Sequence, residues 1–435
     1  MVNSVHNIEN KIEFKESFTL VVGNMIGAGI FMLPISLSAF GSISILGWII
    51  SGIISICLAS VFKKLSREYP GESGPFTYTK KYFGEFTAFL VVWGYWISIL
   101  LLNASLAIAI TSYSTVFLPI LKNQYYNIFF SSFIIIIIST ISLSGIKGIG
   151  RFQFYTALIK LIPLILIIFL GFLFMNVEYF YPINISNETD FRAITITTTL
   201  TFFAFLGLES ATVPDNKVQN AKENVSKSTI YGVIFTFFVY LLSSIALFGL
   251  LSPEQIQHSN APYADAGGII LGDYAKYIVA IFAIISALGC LNGWTLLQIE
   301  LTKNLSKNNL FPKIFLKENA NSIPSSGLVI SNTIVILLIF INYSKDLSNI
   351  FTELILTSTF CALILYFIIA FGEILKIFEN KKNLKSNFIS IPLFLFLIWI
   401  FVGIGFNSIL LGLALFSLSI PIYFYQKYYA RNRKS

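Results

Sequence analysis

The chain has 435 residues, 56% hydrophobic and only 11% charged. That is less than half the charge of an ordinary soluble domain, roughly 25%, and it excludes a soluble globular protein. The net charge of +8 is scattered between apolar segments, which argues against nucleic acid as a partner. Cys57, Cys290 and Cys361 stand alone in apolar runs, and His6 and His258 lie outside them. No disulfide framework, metal site or cofactor is therefore expected.

In chain order, residues 1–16 are polar and read as a cytoplasmic segment without a cleavable signal peptide. Apolar blocks follow with cores near 17–38, 42–62, 86–118, 125–145, 153–175, 194–213, 229–251, 275–301, 326–343, 349–370, 387–404 and 406–426. At about 20 residues per crossing, these predict an all-α polytopic protein with about twelve transmembrane helices in a lipid bilayer. A polar stretch, Leu65–Gly84, is expected to hold a short helix along the membrane surface, and loops near 177–193 and 252–274 to form short caps. Residues 371–386 read as a cytoplasmic loop and 427–435 as a basic cytoplasmic tail. Alternate loops carry twenty-four of the Lys and Arg residues against four on the other side. That asymmetry predicts that both termini are cytoplasmic.

Two spans contain features that a plain membrane helix avoids. The first holds Gly23-Asn24-Met25-Ile26-Gly27-Ala28-Gly29-Ile30. Three glycines and an Asn weaken a helix, and the freed backbone groups are tolerated only against protein or a cavity. An unwound segment there offers amide N–H groups to an anion; close helix packing through small residues is the alternative. The sixth span holds Phe205-Leu206-Gly207-Leu208-Glu209-Ser210, and a carboxylate so deep is a functional candidate. Two interrupted spans five apart match the pattern of inverted-repeat secondary transporters. Lys160 is the one basic residue inside a span; it either snorkels toward Arg151 or meets a partner such as the broken first span. Glu300 beside Lys303 reads as an interfacial pair, and Glu353 as a solvated span edge. No phosphate-binding Gly-x-x-x-x-Gly-Lys segment and no catalytic His/Asp or metal constellation is present, so neither ATP-driven pumping nor an enzyme is expected.

These residues resemble the amino acid–polyamine–organocation superfamily, and within it the basic amino acid/polyamine antiporters of the arginine/agmatine type. The match rests on Gly23 to Pro34, Tyr95-Trp96 with Asn103, Phe205 to Ser210, and Gly293-Trp294-Thr295-Leu296-Leu297. Two loop landmarks, Tyr69-Pro70-Gly71-Glu72-Ser73-Gly74 and Leu310-Phe311-Pro312, agree. The resemblance implies a LeuT-type 5+5 inverted repeat with discontinuous helices 1 and 6. Its ten-helix core would occupy 17–370, with a first repeat at 17–175, a second at 194–370, and two peripheral helices in 387–426. It implies a multi-pass protein of a bacterial-type inner membrane that exchanges cationic amino acids or polyamines, with a homodimer as the associated assembly.

For the site, the resemblance implies that amides around Ile26, Gly27, Ala28 and Gly29, beside Asn24, hold a substrate carboxylate. Carbonyls near Met25, Phe203 and Leu206 would take the α-amino group. Ser98, Asn103, Trp294 and Ser358 would surround the side chain, and Tyr95, Glu209 and Tyr366 would form a gate cluster. Phe203 stands where the family has a stacking Trp, and Ala28 where it has a Ser, so arginine specificity is open. Lys160 matches the lysine that replaces a sodium ion in sodium-independent relatives and can couple protons. A proton-coupled symporter using Lys160 is therefore the alternative, and a non-transporting nutrient sensor a more distant one.

Overall fold

The computed structural model describes residues 12–70, 74–143, 155–213, 218–321, 323–341, 346–379 and 389–431. Residues 71–73 of the first loop landmark lie outside them. So do Lys11, Lys147, Arg151, Lys217, Lys345, Lys381, Lys382, Lys385, Arg433 and Lys434 of the basic alternation.

The first apolar block forms two helices, α1 (Phe14–Met25) and α2 (Ala28–Ser38), separated by Ile26 and Gly27. Gly27 there has φ −144° and ψ −131°, outside the helical region. Next come α3 (Ser44–Glu68) and α4 (Pro75–Ser114). Pro75 opens α4 at a position whose amide has no helical partner. Gly84, at φ +79°, divides the helix into a leading segment and a long span. That leading segment is a short helix within the polar stretch. α5 (Gln124–Leu143) precedes α6 (Leu161–Phe174), which continues an apolar helical run from Tyr155. Pro163 withholds the amide that would bond the Ile159 carbonyl, and the run loosens at Lys160.

The second half opens with α7 (Asp190–Phe203), capped by the Thr189 side chain accepting from the Arg192 amide. It ends early, and residues 204–213 continue as consecutive turns. α8 (Ala221–Leu250) is followed by two short cap helices, α9 (Pro253–Gln257) and α10 (Pro262–Leu271). Then come α11 (Asp273–Lys307), α12 (Ser325–Ile341) and α13 (Leu347–Glu379). The described chain closes with α14 (Ser390–Val402), α15 (Phe406–Ser417) and α16 (Ser419–Arg431). Every regular element among the described residues is helical, with one isolated bridge between Ile12 and Val218.

Among the described residues, nine helices are long and apolar enough to cross a membrane. Three further apolar blocks form shorter helices: α7 has 14 residues, α12 has 17 and α14 has 13. The most apolar stretch of α4 is 94% buried, against 17% for α15 and α16. α4 is therefore an axis of the bundle, whereas α15 and α16 lie at its edge. α13 and α11 pack along α4, α8 packs on α3, α1 and α6, and α7 packs on α3. Small residues allow these close approaches; a Cβ on Gly47 of α3 would fall 2.7 Å from the Thr197 carbonyl carbon on α7.

Charges gather at helix ends. Glu373, near the end of α13, accepts from Lys64 on α3 and from Tyr82 at the start of α4, each at 2.5 Å. Lys376 reaches Glu68 at 2.8 Å, and Lys303 reaches Glu318 at 2.8 Å. Glu353 is half-buried in the second turn of α13.

Candidate functional site

A helix that stops inside a bundle leaves its last carbonyls without amide partners, and in a dry interior each needs a donor. At the end of α1 every one is met by a named group. The Val22 carbonyl takes the Ile26 amide at 2.9 Å. Lys160 Nζ donates to the Gly23 carbonyl at 2.6 Å and to the Ile26 carbonyl at 2.7 Å. The Asn24 carbonyl accepts from Trp294 Nε1 at 3.0 Å and from Cys290 Sγ at 3.1 Å. The Tyr240 hydroxyl donates to the Met25 carbonyl. These donors come from the α6 segment, α8 and α11, so three separate elements hold the break open.

The opposite side of the break is different. Gly27 is the N-cap of α2 and supplies no side chain, and the first amides of a helix have no intrahelical acceptor. Gly27, Ala28 and Gly29 line a small cavity together with Asn24, Met25, Leu102, Leu106, Phe203, Ala204, Leu206, Cys290 and Trp294. Glycine is required at position 27 by close approach, since a Cβ would fall 2.3 Å from Cys290 Sγ.

The break after α7 meets the first one directly. Asn24 Nδ2 donates to Ser210 Oγ at 3.0 Å. The Tyr240 hydroxyl also lies 3.1 Å from the Ala204 carbonyl, so a single phenol serves both interruptions. Gly207 has φ +102°, and a Cβ there would fall 2.8 Å from the Trp294 ring. Both the backbone conformation and the close ring favour glycine at this point. Tyr240→Phe leaves the Met25 carbonyl without its donor and removes the shared contact to the Ala204 carbonyl. Since a buried unsatisfied group costs about 1–3 kcal/mol, the expected result is a lower midpoint of thermal unfolding in detergent. An unchanged midpoint would show that the phenol is dispensable.

The Glu209 side chain is fully buried. One of its oxygens accepts from the Tyr95 hydroxyl on α4, and the other from the Tyr366 hydroxyl on α13 at 2.7 Å. Two phenols from α4 and α13 thus hold a carboxylate from the broken segment.

The description "Amino acid permease" belongs to the family whose model matches residues 12–424. The chain belongs to the amino acid permease family. It is 27% identical to a protein described as a putative arginine/ornithine antiporter from Bacillus subtilis (strain 168), over 93% of this chain and 94% of that one. It is 28% identical to the cadaverine/lysine antiporter of Escherichia coli (strain K12), covering 96% and 95%. It is also 27% identical to the arginine/agmatine antiporter of Chlamydia abortus (strain DSM 27085 / S26/3), covering 96% and 90%. The permease is a multi-pass membrane transporter, not an enzyme.

In this permease the cavity gathers Asn24, Met25, Gly27, Ala28, Gly29, Phe203, Leu206 and Trp294 from the sequence-derived set. Four others do not line it. The Ile26 carbonyl is taken by Lys160, and Ser98 Oγ turns back to the Tyr95 carbonyl at 2.7 Å. Ser358 Oγ donates to the Ser98 carbonyl at 2.8 Å, and Asn103 Nδ2 to Gln298 Oε1 at 2.8 Å. The Met25 carbonyl, expected to face an amino group, is occupied by Tyr240. Lys160 reaches the broken span rather than remaining a lone ammonium. Sequence reasoning missed Tyr240, Cys290, Leu102 and Leu106. Cys290 had a usable signal, lying four residues before Trp294 and so on the same helix face.

Proposed function

We propose that this permease exchanges cationic amino acids or polyamines across a bacterial inner membrane by alternating access. About twelve spans would cross the bilayer with both termini in the cytoplasm. Ten of them would form a LeuT-type 5+5 inverted repeat, and 387–426 would be peripheral. α1 with α2, and α7 with its following turns, would be the discontinuous helices.

The observation that carries the reading is the asymmetry of the first break. Its carbonyls are closed off by Lys160, Trp294, Cys290 and Tyr240, while the residues at the N-terminal end of α2 line the cavity. Such an end favours a carboxylate. The faces of Phe203 and Trp294 in the same wall suit an aliphatic stem and a cationic head. The names of the relatives, which pair arginine, ornithine, lysine, cadaverine or agmatine, support that substrate class. Glu209 would answer the charge of the cargo or a proton through Tyr95 and Tyr366.

Radiolabelled arginine uptake into proteoliposomes tests this, with vesicles preloaded with amino acids and polyamines or with buffer alone. Uptake that requires internal substrate and ignores an imposed proton gradient is the expected result. Uptake into empty vesicles driven by inward protons, and lost in Lys160→Ala, would replace exchange by proton symport. That second reading rests on the contact of Lys160 with Gly23 and Ile26.

A further inference from the structure

The end of the bundle that carries Lys64 and Glu373 holds a charged cluster that has no part in the cycle described above. Glu373 is 1% exposed and accepts from Lys64 Nζ on α3 and from the Tyr82 hydroxyl on α4, each at 2.5 Å. Lys376, one turn further along α13, lies 3.4 Å from Glu373 and donates to both oxygens of Glu68 on α3 at 2.8 Å. Its ammonium also sits 4.8 Å from the centre of the Tyr82 ring. That ring is pressed against α13, since a Cβ on Gly372 would fall 2.5 Å from Tyr82 Cδ2. Two cations and two carboxylates thus alternate between α3 and α13. Glu373 follows Tyr366 by two turns on the same helix face, about 10 Å further along the axis. Tyr366 is the phenol that holds Glu209, so the cluster is a second layer of contact beyond that one.

What these groups join gives them a role. α3 packs with α7 and α8, whereas α13 packs along α4; in alternating access the first group rocks against the second. A carboxylate taken out of water is costly unless it is paired, and the lysine and phenol that pair Glu373 come from α3 and α4. When α3 moves away, water has to take the place of Lys64. We propose that Glu373 is the latch of an inner gate. Bound to Lys64 and Tyr82, it holds α3 to α4 and α13, and this contact breaks when the cavity opens toward the cytoplasm. Paired and dry, or apart and hydrated, the cluster has two discrete arrangements. Their balance sets how much of the time the cavity faces inward. The proposal rests on the transport reading above and adds the residues that time inward opening.

Cys290 reports the opening without any cargo, because it lines the cavity. The parent is the full chain with Cys57→Ser and Cys361→Ser, and a membrane-impermeant maleimide is applied to either face of oriented vesicles. Lys64→Met removes the cation that α3 supplies. Cys290 labelling from the cytoplasmic face is then expected to rise about tenfold, the scale of one hydrogen bond to a charged group, and labelling from the other face to fall. Lys64→Met combined with Glu373→Leu replaces the ion pair by apolar groups, which a buried site accepts, and is expected to return both rates to those of the parent. General loosening would raise labelling from both faces and overturns the latch, as do rates unmoved in Lys64→Met. Should Lys64→Met fail to assemble, Tyr82→Phe removes one donor and is expected to move the two rates in the same directions by a smaller factor. A parent labelled from neither face, or from one face only, overturns alternating access and the latch with it. A parent labelled from both faces, with rates that the variants leave unmoved, overturns the latch alone.

Discussion

Replacing Lys160 by leucine is expected to lower arginine exchange by at least about 100-fold, because two hydrogen bonds from a charged donor, each worth about 1.5–3 kcal/mol, are lost together. The side chain is fully buried, and its Nζ bridges the carbonyl of Gly23, in the last turn of α1, and that of Ile26, within the interruption. Leucine fills similar space and donates nothing, so both carbonyls are left dry. Initial rates per reconstituted protein measure the effect, with elution profiles in detergent checking assembly. If the lysine serves only to carry protons, exchange between equal pools should survive while proton-driven uptake disappears. If it holds the backbone, as the contacts suggest, both fall together. Exchange at the wild-type rate in Lys160→Leu would sink the structural role outright.

Gly27→Ala should be nearly as damaging despite adding one methyl group. The new Cβ would fall 2.3 Å from Cys290 Sγ, 2.8 Å from Cys290 Cβ and 3.3 Å from Leu106 Cδ2. The cysteine cannot simply swing aside without giving up its bond to the Asn24 carbonyl. Overpacking of this kind costs about 1–3 kcal/mol, and here it also pushes into the wall of the cavity, so arginine uptake is expected to fall by tenfold or more. The diagnostic result is rescue. The double variant Gly27→Ala with Cys290→Gly removes the two shortest clashes and should recover a large part of the rate. A double variant no better than Gly27→Ala alone would mean that the glycine is needed for something other than this contact.

The interruptions were legible because they violate the rule of the surrounding sequence. Gly23, Gly27 and Gly29 crowd an apolar run, Glu209 and Lys160 are charges where charge is costly, and Gly207 sits beside one of them. Membrane character was legible for the same reason. What remained hidden depends on partners supplied from far along the chain. Tyr240 is one tyrosine among 21, and nothing local marks it as the phenol joining Met25 and Ala204. Gln298 lies in a helix whose neighbours give no sign of Asn103 or Asn332. Ser98 and Ser358 were placed at the site by resemblance, yet their hydroxyls bond backbone within the scaffold. Helix existence was read well, but length was not. α7 stops at Phe203 because of turns that the apolar pattern carries straight through.

The way the Asn24 carbonyl is satisfied bears on how the protein is made. Its indole partner, Trp294, lies 270 residues further along the chain, and the phenol for Met25 lies 215 residues away. While the ribosome is still producing the middle of the protein, those carbonyls have no acceptable partners except the amides of their own segment. The first span is therefore expected to enter the bilayer as a continuous helix and to open only late in assembly, once α11 brings Trp294 to the Asn24 carbonyl.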